Sequence, residues 1–539
     1  MVAFFLIILP LLTGLIAFFL KEEKVVKSFA FLSSLATLAV SILGLTLMKA
    51  EENLQFTAQW MQPIGSSFSL RLDGMGQLLC LLTAISYPLV FLGSWNASYK
   101  RPNNFFALML LAQAGLMGVF LATDALVFYF FWELALIPMY FLSSQWGGER
   151  RIPVTFKFFI YTFVGSVLML IGILYIQSKT VSHSFSLNAF YVVELSSKAQ
   201  SWLFWLFFLA FAIKMPVFPF HTWQPDTYEQ SPTPTTMILS GVMVKMGLLG
   251  LLRWLLPVFP IASYVWGDVV MSLAVTGIVY ASLIAIRQDD IKRLVAYSSI
   301  AHIGLMCAAI FAENKSGMQG VMLQMFNHGI NIIGLWIIVE IIERRFGTRK
   351  MSELGGLAQK APVMAIFFVI IALANIALPL TNAFAGEFLM FNGLMNAKSN
   401  YYLWFTVLAG LGIILAAVYT LNMIRRIFYG EVNELTAVAT DLKLNEKLAL
   451  GIIVGLIFWM GVYPQVLSCC LKNSQHFRPG WLRKYNLFAP SKVVHRGTHP
   501  EYLFQAICCQ YIFVIVFQLQ HNQGDKNNNR INHSRLLYN

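Results

Sequence analysis

Long apolar runs, separated by short charged or turn-forming segments, alternate along most of the chain. The runs fall at about 2–20, 27–48, 74–94, 104–122, 124–145, 156–177, 203–221, 235–256, 267–286, 293–312, 318–341, 362–389, 401–424 and 447–467. A helix rises 1.5 Å per residue, so about 20 residues cross the roughly 30 Å hydrocarbon core of a bilayer. The runs lack the alternation over about ten residues that membrane strands show. The pattern predicts an all-α polytopic membrane protein with about 14 transmembrane helices.

Composition supports this prediction. The chain has 539 residues, of which 58% are hydrophobic and 12% are charged, whereas soluble domains are nearer half apolar and a quarter charged. The net charge of +13 comes from basic residues scattered in short loops, not gathered on one face. We therefore predict a lipid bilayer, and no nucleic acid, as the environment of this chain.

The loop charges predict an orientation. Odd-numbered loops hold roughly three times as many lysine and arginine residues as even-numbered loops, and basic loops face the cytoplasm. Arg253 is counted here among the even-numbered loops. The N-terminus is thus expected outside, and the first run is expected to be a retained span. With no targeting sequence visible, we expect a bacterial cytoplasmic (inner) membrane.

Ionisable residues occur near the middle of five different runs, about ten residues from a run end. They are Glu133, Lys214, Lys245, His302 and His328. A charged side chain at that depth costs roughly 2.5–3.5 kcal/mol, so such residues usually mark a polar pathway. A lone histidine is more often a hydrogen-bonded core residue, but five together are not. Glutamate, lysine and histidine exchange protons, whereas arginine is missing from the run centres, so the set favours proton transfer over ion coordination.

The first helix break follows one of these residues directly. Pro216 and Pro219 come just after Lys214, and proline interrupts a helix. A broken helix frees backbone groups, which membranes tolerate where they line a polar cavity or are buried in protein. We expect this break to make room for water and to give the Lys214 ammonium backbone partners.

A second break is predicted in the twelfth run, "NIALPLTNAFAGEF". Pro379 and Gly386 are its expected breaking residues, and the next ionisable residue is Glu387. Two breaks five helices apart indicate inverted repeats with a site in each half. We place the two five-helix repeats, each forming a half-channel, at 104–256 and 267–426.

The remaining segments complete the predicted organisation. They are an N-terminal three-helix segment at 1–103, a last transmembrane helix at 447–467 and an atypical tail at 468–539. The charge-free run Leu503–Gln520 leaves a fifteenth span open as an alternative.

No cofactor or metal site is predicted in this chain. Its six cysteines form neither a CxxC motif nor a cysteine–histidine set with metal spacing, and no GxGxxG or Walker loop is present. Any redox chemistry is expected on partner chains.

Several motifs resemble one family. "FYFFWELALIPMYFL", "FAIKMPVFPFHTWQPDTYEQSPTPTTMILSGVMVKMGLLGLLR", "RQDDIKRLVAYSSIAHIG" and the "GEF" after the second break are similar to the antiporter-like subunits of respiratory complex I and to Mrp-type cation/proton antiporters. The resemblance covers roughly 70–465. It is greatest to the M-type subunits, because Glu387 stands where L- and N-type subunits typically carry lysine, and because a long lateral amphipathic helix is missing.

The resemblance implies a function. It implies a proton-translocating membrane-arm subunit of NADH:quinone oxidoreductase, driven by quinone reduction in other subunits. The implied relay runs from the coupling pair Glu133 and Lys214 through the central Lys245 to His302, His328 and the exit group Glu387. FMN, iron–sulfur clusters and quinone are expected in partner subunits. The expected partners are L-like and N-like antiporter subunits and small membrane subunits.

Two other functions stay open at this stage. The chain could exchange sodium for protons in an Mrp-type antiporter, which sodium/proton exchange independent of NADH would reveal. It could also belong to a proton-pumping membrane hydrogenase, which would be accompanied by a nickel–iron partner. A purely structural scaffold is disfavoured by the five mid-run ionisable residues.

Overall fold

The computed structural model describes residues 1–47 and 54–465, so the atypical tail and its possible fifteenth span lie outside the described residues. This described part contains fourteen helical spans, two of which are broken. They are α1 Val2–Ala17, α2 Glu23–Thr46, α3 Gly74–Gly93, α4 Pro102–Leu121, α5 Ala125–Trp146, α6 Arg151–Lys179, α7a Ser197–Lys214 with α7b Trp223–Gln230, α8 Thr233–Leu255, α9 Pro260–Arg287, α10 Ile291–Phe311, α11 Lys315–Phe346, α12a Pro362–Asn375 with α12b Asn382–Met395, α13 Tyr402–Phe428 and α14 Leu444–Val462.

The predicted fold class is confirmed: the chain is an all-α membrane protein with two inverted five-helix repeats, α4–α8 and α9–α13, each with one broken helix. The residue limits proposed for the repeats stay predictions. The apolar stretches of α8 and α11 are wholly buried, whereas most residues in the apolar stretches of α2, α6 and α14 are at least partly exposed. A helix that is apolar all round is typical of an enclosed position. The two innermost helices are also the ones that carry Lys245 and His328.

The first break separates α7a from α7b. Helix α7a ends at Lys214, and Pro216 and Pro219 lie in the turn before α7b begins at Trp223. The indole N–H of Trp223 donates to the carbonyl oxygen of Ile213 at 2.9 Å. One of the backbone groups freed by the break therefore has a side-chain partner, which holds the two half-helices together.

The second break has a different backbone. Between the end of α12a and the start of α12b lie Pro379 and two residues with left-handed backbone, Ala377 (φ 57°) and Leu380 (φ 72°). Residues other than glycine seldom adopt this conformation and do so at a cost of order 1–3 kcal/mol each. The surrounding helices must therefore hold this turn in place.

Gly386 is not part of that break, contrary to the sequence prediction. It lies inside α12b, where α12b packs against α11. A Cβ added at Gly386 would lie 2.6 Å from Oε1 and 3.2 Å from Cβ of Gln324. The glycine is explained by this close helix packing, since only a residue without a side chain leaves room for Gln324.

A short β-hairpin, Gln55–Gln59 paired with Ser67–Arg71, lies between α2 and α3 and was missed by the sequence prediction. The fully buried carboxylate of Asp124 accepts hydrogen bonds from the Ser66 hydroxyl (2.9 Å), the Ser67 amide (3.1 Å) and two amides in the first turn of α5. This one side chain therefore fastens the hairpin to the helix that carries Glu133. We call this end of the bundle the hairpin end.

Ion pairs gather at the opposite end, which we call the ion-pair end. Glu229, near the end of α7b, pairs with Arg150 (3.2 Å), Arg293 (2.8 Å) and Arg349 (3.3 Å). Arg293 also pairs with Asp226 at 3.1 Å. Because these arginines come from three different segments, α7b is anchored at its far end to the start of α10 and to the segments that precede α6 and follow α11.

Replacing Gly461 with alanine is expected to displace the second break. Gly461 lies in α14, and a Cβ there would overlap the carbonyl oxygen of Leu380. Because backbone must move, overpacking should cost about 1–3 kcal/mol, measured as a lower thermal midpoint of the extracted protein. Gly451→Ala and Gly455→Ala are matched controls, since an added Cβ meets nothing within 4 Å at either position. Equal midpoints for all three variants would contradict the expectation.

Candidate functional site

Lys245 lies at the centre of α8, between two stretches of π-helix at Leu239–Met243 and Leu251–Leu255. Its side chain is fully buried. The amide of Val244 bonds to a carbonyl five residues back, and the carbonyl of Ser240 accepts a hydrogen bond from the Lys245 ammonium at 2.9 Å. Such π-bulges are frequent at functional sites. Here the carbonyl that binds the lysine, that of Ser240, belongs to the first π-helical stretch.

The second partner of the Lys245 ammonium is a histidine. Its Nζ lies 2.9 Å from Nδ1 of His328 on α11. An ammonium only donates, so Nδ1 must accept, and the ring proton of a neutral His328 is then on Nε2. That nitrogen lies 3.3 Å from the hydroxyl of Ser299 on α10. Lysine, histidine and serine therefore form one hydrogen-bonded chain across three helices.

A second chain begins at His302 on α10. Its Nδ1 lies 3.4 Å from Oε1 of Glu387 on α12b, and its Nε2 lies 3.3 Å from the amide nitrogen of Asn375. The amide nitrogen donates and the carboxylate accepts, so the two neighbours favour the tautomer with its proton on Nδ1. The rings of His302 and His328 are 5.6 Å apart between centroids. The two chains therefore meet in the middle of the bundle.

Glu133 and Lys214, the pair expected at the start of the relay, do not form an ion pair. No ion pair joins Glu133 to Lys214 in the described part of the chain, and neither Lys214 Nζ nor Glu133 Oε1 has a hydrogen-bond partner, although both atoms are buried. The expectation that the break supplies backbone partners to this ammonium is wrong. Its close neighbour is the ring of Trp132, with Nζ 5.5 Å from the centroid, a distance at which a cation is attracted to the ring face.

Two asparagines of α11 hold the second break beside His328. The amide nitrogen of Asn327 donates to the carbonyl of Asn382 at 2.7 Å, and that of Asn331 donates to the carbonyl of Ala374 at 3.1 Å. The two carbonyls lie on either side of the break. One turn of α11 thus carries the relay histidine and the groups that fix the backbone next to Glu387.

Sequence reasoning missed the serines of this site. Ser299 contacts His328, and Ser298 accepts hydrogen bonds from Tyr419 (3.2 Å) and Asn375 (3.3 Å). The signal was available, because both serines precede His302 by one helical turn, and residues three or four apart share a helix face.

The described part of the chain contains no group of three or more histidine, cysteine, aspartate or glutamate side chains that could hold a metal ion. The site described above consists of proton-exchanging side chains and hydrogen-bonding neighbours.

Known proteins are similar to this chain in sequence and in fold. The family described as NADH:quinone oxidoreductase/Mrp antiporter, transmembrane, matches residues 122–416. NADH-quinone oxidoreductase subunit M of Rickettsia typhi is 38% identical over 474 residues, covering 85% of this chain and 94% of the relative. Subunit M of Pseudomonas aeruginosa is 36% identical and covers 80% and 86%, and F(420)H(2) dehydrogenase subunit M of Methanosarcina mazei is 34% identical and covers 88% and 97%.

Solved structures agree. A chain of respiratory complex I from Thermus thermophilus matches with a TM-score of 0.81 and 28% identity, covering 88% of this chain and 99% of that one. A chain of the Mrp complex from Dietzia shares the fold at a TM-score of 0.78 with 19% identity, covering 98% and 57%. The chain therefore belongs to the NADH:quinone oxidoreductase/Mrp antiporter family of membrane subunits, in its subunit M group.

Proposed function

We propose that this chain translocates protons across the membrane as a subunit of an NADH:quinone oxidoreductase. The observation that supports this most is the 2.9 Å contact between Lys245 and His328, both fully enclosed. A proton can transfer between a buried lysine and a histidine in contact with it, because desolvation penalises the charged form of both groups.

The proposed transfer follows the hydrogen bonds. Lys245 passes a proton from Nζ to Nδ1 of His328, and His328 then releases its Nε2 proton toward Ser299. The proton continues to His302 and reaches Glu387, whose carboxylate lies against His302 Nδ1. Water is expected to bridge the longer gaps, since buried polar atoms without protein partners, such as Lys214 Nζ and Gln324 Oε1, are typical water sites.

Glu133 is proposed as the group through which a neighbouring subunit acts. It is half-buried on the side of α5, among the exposed side chains of Phe130, Ile137 and Phe141. A carboxylate on an apolar outer face is costly in lipid, so we infer that a membrane subunit covers it. A charge on that subunit would draw Glu133 toward or away from Lys214 and change how readily Lys214 releases its proton.

The energy must come from outside this chain. Moving one proton against 100 mV requires about 2.3 kcal/mol, and we infer that quinone reduction in other subunits supplies this energy. We place FMN, iron–sulfur clusters and quinone in partner subunits, and L-like, N-like and small membrane subunits beside this one. The charge bias of the loops supports an orientation with the hairpin end outside, and we place the chain in a bacterial inner membrane because relatives such as subunit M of Rickettsia typhi are bacterial.

Purification of the tagged chain from its own membrane tests the assignment. NADH oxidation that copurifies with flavin and iron–sulfur signals is the expected result. Sodium/proton exchange in reconstituted vesicles, without NADH oxidation, would instead assign the chain to an Mrp-type antiporter. A copurifying nickel–iron protein would assign it to a hydrogenase.

Lys214→Ala is expected to remove most of the proton translocation that this subunit contributes, while the complex still assembles. Lys214 is the first ammonium of the relay, and alanine can neither hold nor release a proton. The measurement is proton uptake per NADH oxidised in membrane vesicles. Lys198→Ala is the matched control, because Lys198 lies on the same half-helix but is exposed. A normal ratio of protons to NADH in the Lys214 variant would remove it from the relay.

A further inference from the structure

Arg253 is not in a loop, contrary to the loop count made from the sequence. It lies in the last turn of α8 and is 0% exposed. It follows Lys245 by eight residues, which places it about two turns, or about 12 Å, farther along the same helix toward the hairpin end. A fully buried arginine therefore stands between the centre of the relay and one surface of the membrane.

Three elements meet at this arginine. Its Nη2 pairs with Oδ1 of Asp73, which caps α3, at 2.5 Å. Its Nη1 donates to the carbonyl of Phe120 at the end of α4 at 2.7 Å. Its own carbonyl accepts a hydrogen bond from the hydroxyl of Tyr191 at 2.9 Å. The guanidinium thus fills the space where α3, α4 and α8 converge at the hairpin end.

The two members of the Arg253–Asp73 ion pair differ in their exposure to the surface. The Asp73 side chain is 18% exposed and the Arg253 side chain is 0% exposed, so the carboxylate faces the surface and the cation faces the interior. Arginine has no acceptor and does not lose its proton in proteins. The Nε of Arg253 and the indole nitrogen of the adjacent Trp254 are buried without partners, and both only donate. At the guanidinium and the indole, a proton that arrives from inside therefore meets only hydrogen-bond donors.

Unpartnered polar groups lie on the inner side of the Arg253–Asp73 ion pair. Gln77 lies one turn inside Asp73 on α3, and Gln113 lies two turns inside Phe120 on α4. Nε2 of Gln77 and both amide atoms of Gln113 are buried and have no protein partner. Buried groups of this kind are typical water sites. Water bound to these groups would connect the core to the hairpin end without passing His328.

We propose that Arg253 is a fixed positive charge that prevents protons on Lys245 from leaking out at the hairpin end. The proton on Lys245 is thereby confined to the step toward His328. This role rests on the proposed function, since it presumes that Lys245 carries a mobile proton. A buried cation that repels protons is a known means of excluding them from a polar pore.

The test compares three variants that all break the ion pair but differ in the charge left behind. Vesicles containing the purified complex, without NADH, are given a pH gradient, and its decay is followed. At about 12 Å and an effective dielectric constant of about 20, one unit charge changes the population of a nearby proton by about tenfold. Arg253→Gln should therefore raise the leak by about tenfold, because Asp73 then attracts protons.

The other two variants fix the sign of the effect. Asp73→Asn leaves the cation uncompensated and should leak no more than the unmodified protein. The double variant Asp73→Asn with Arg253→Gln removes both charges, avoids an unpaired buried ion and should leak to an intermediate extent. A clamp that is only structural would instead make all three leak alike. Equal tightness of the double variant and the unmodified protein would overturn the proposal, as would a strong leak in Asp73→Asn.

Adding Lys245→Leu to the double variant separates this proposal from the proposed function. Loss of the leak on that addition supports both. A leak that persists without Lys245 overturns the proposal, because the protons held back at the hairpin end would then not come from Lys245. A tight double variant with normal dependence of NADH-driven translocation on Lys245 would leave the relay standing and dismiss the barrier.

Discussion

Lys245→Leu is expected to stop proton transfer through this chain while leaving the complex assembled. The ammonium has two partners, the Ser240 carbonyl and His328 Nδ1, and no other titratable group lies on α8 between Thr233 and Leu252. Losing a positioned proton donor lowers a transfer rate on the order of 100-fold. The measurement is proton uptake per NADH in vesicles. Under the proposed function, which couples the two processes, NADH-driven quinone reduction should slow together with it.

Two controls separate the mobile proton from charge and from packing. Lys245→Arg keeps a positive charge but does not release a proton at physiological pH, so it should be as inactive as the leucine variant. Met246→Leu changes the buried neighbour with nearly constant volume and should be neutral. Full translocation in Lys245→Arg would mean that only the charge of residue 245 matters and that the step to His328 does not occur.

Most of the fold could be predicted because each membrane span appears in the sequence as a long apolar run. Each run must be about 20 residues long whatever its neighbours are, so its existence does not depend on tertiary contacts. The β-hairpin shows the limit of this reasoning. Its strands, Gln55–Gln59 and Ser67–Arg71, are five residues each. They are held by Asp124 more than fifty residues away, and no local pattern reports that carboxylate.

The ionisable residues of the candidate site could be singled out from the sequence, but their contacts could not. Lys245 and His328 stand out as ionisable residues in mid-run, yet they are 83 residues apart in sequence and meet only through the packing of α8 against α11. Glu133 and Lys214 show the reverse case. The resemblance pairs them, and the structure shows no ion pair between them, because whether two buried side chains touch is decided by rotamers and backbone details that spacing does not encode.

Arg253 and Gly386 were misread for one common reason. A charged residue near the end of an apolar run is counted with the adjacent loop, and a glycine near a proline is counted with the helix break. In the structure both lie inside helices, where Asp73 and the Phe120 carbonyl bind the arginine and Gln324 occupies the space of the glycine's missing side chain. Assigning a residue to a loop or a break from sequence is therefore least secure where tertiary partners can bind an unusual residue.

Glu387→Gln is expected to block the last step of the relay. The carboxylate lies 3.4 Å from His302 Nδ1 and 3.5 Å from the amide nitrogen of Gln324. Glutamine has nearly the same size and still accepts a hydrogen bond from His302, so packing and assembly should survive. It cannot take the proton, however, and transfer should again fall on the order of 100-fold. The measurement is proton uptake per NADH in vesicles that contain normal amounts of the assembled complex.

Glu387→Lys distinguishes the loss of a titratable group from the loss of a specific carboxylate. Lysine also binds and releases protons and shifts its pKa readily when buried, so this variant should recover part of the translocation that glutamine abolishes. Gln324→Leu removes the second neighbour of Glu387 but keeps the carboxylate beside His302, and it should reduce translocation less than Glu387→Gln does. If Glu387→Gln translocates normally while Gln324→Leu does not, the proton leaves the relay through the α11–α12b interface without using Glu387. The His302–Glu387 contact would then be structural, and the transfer chain would end at the histidines.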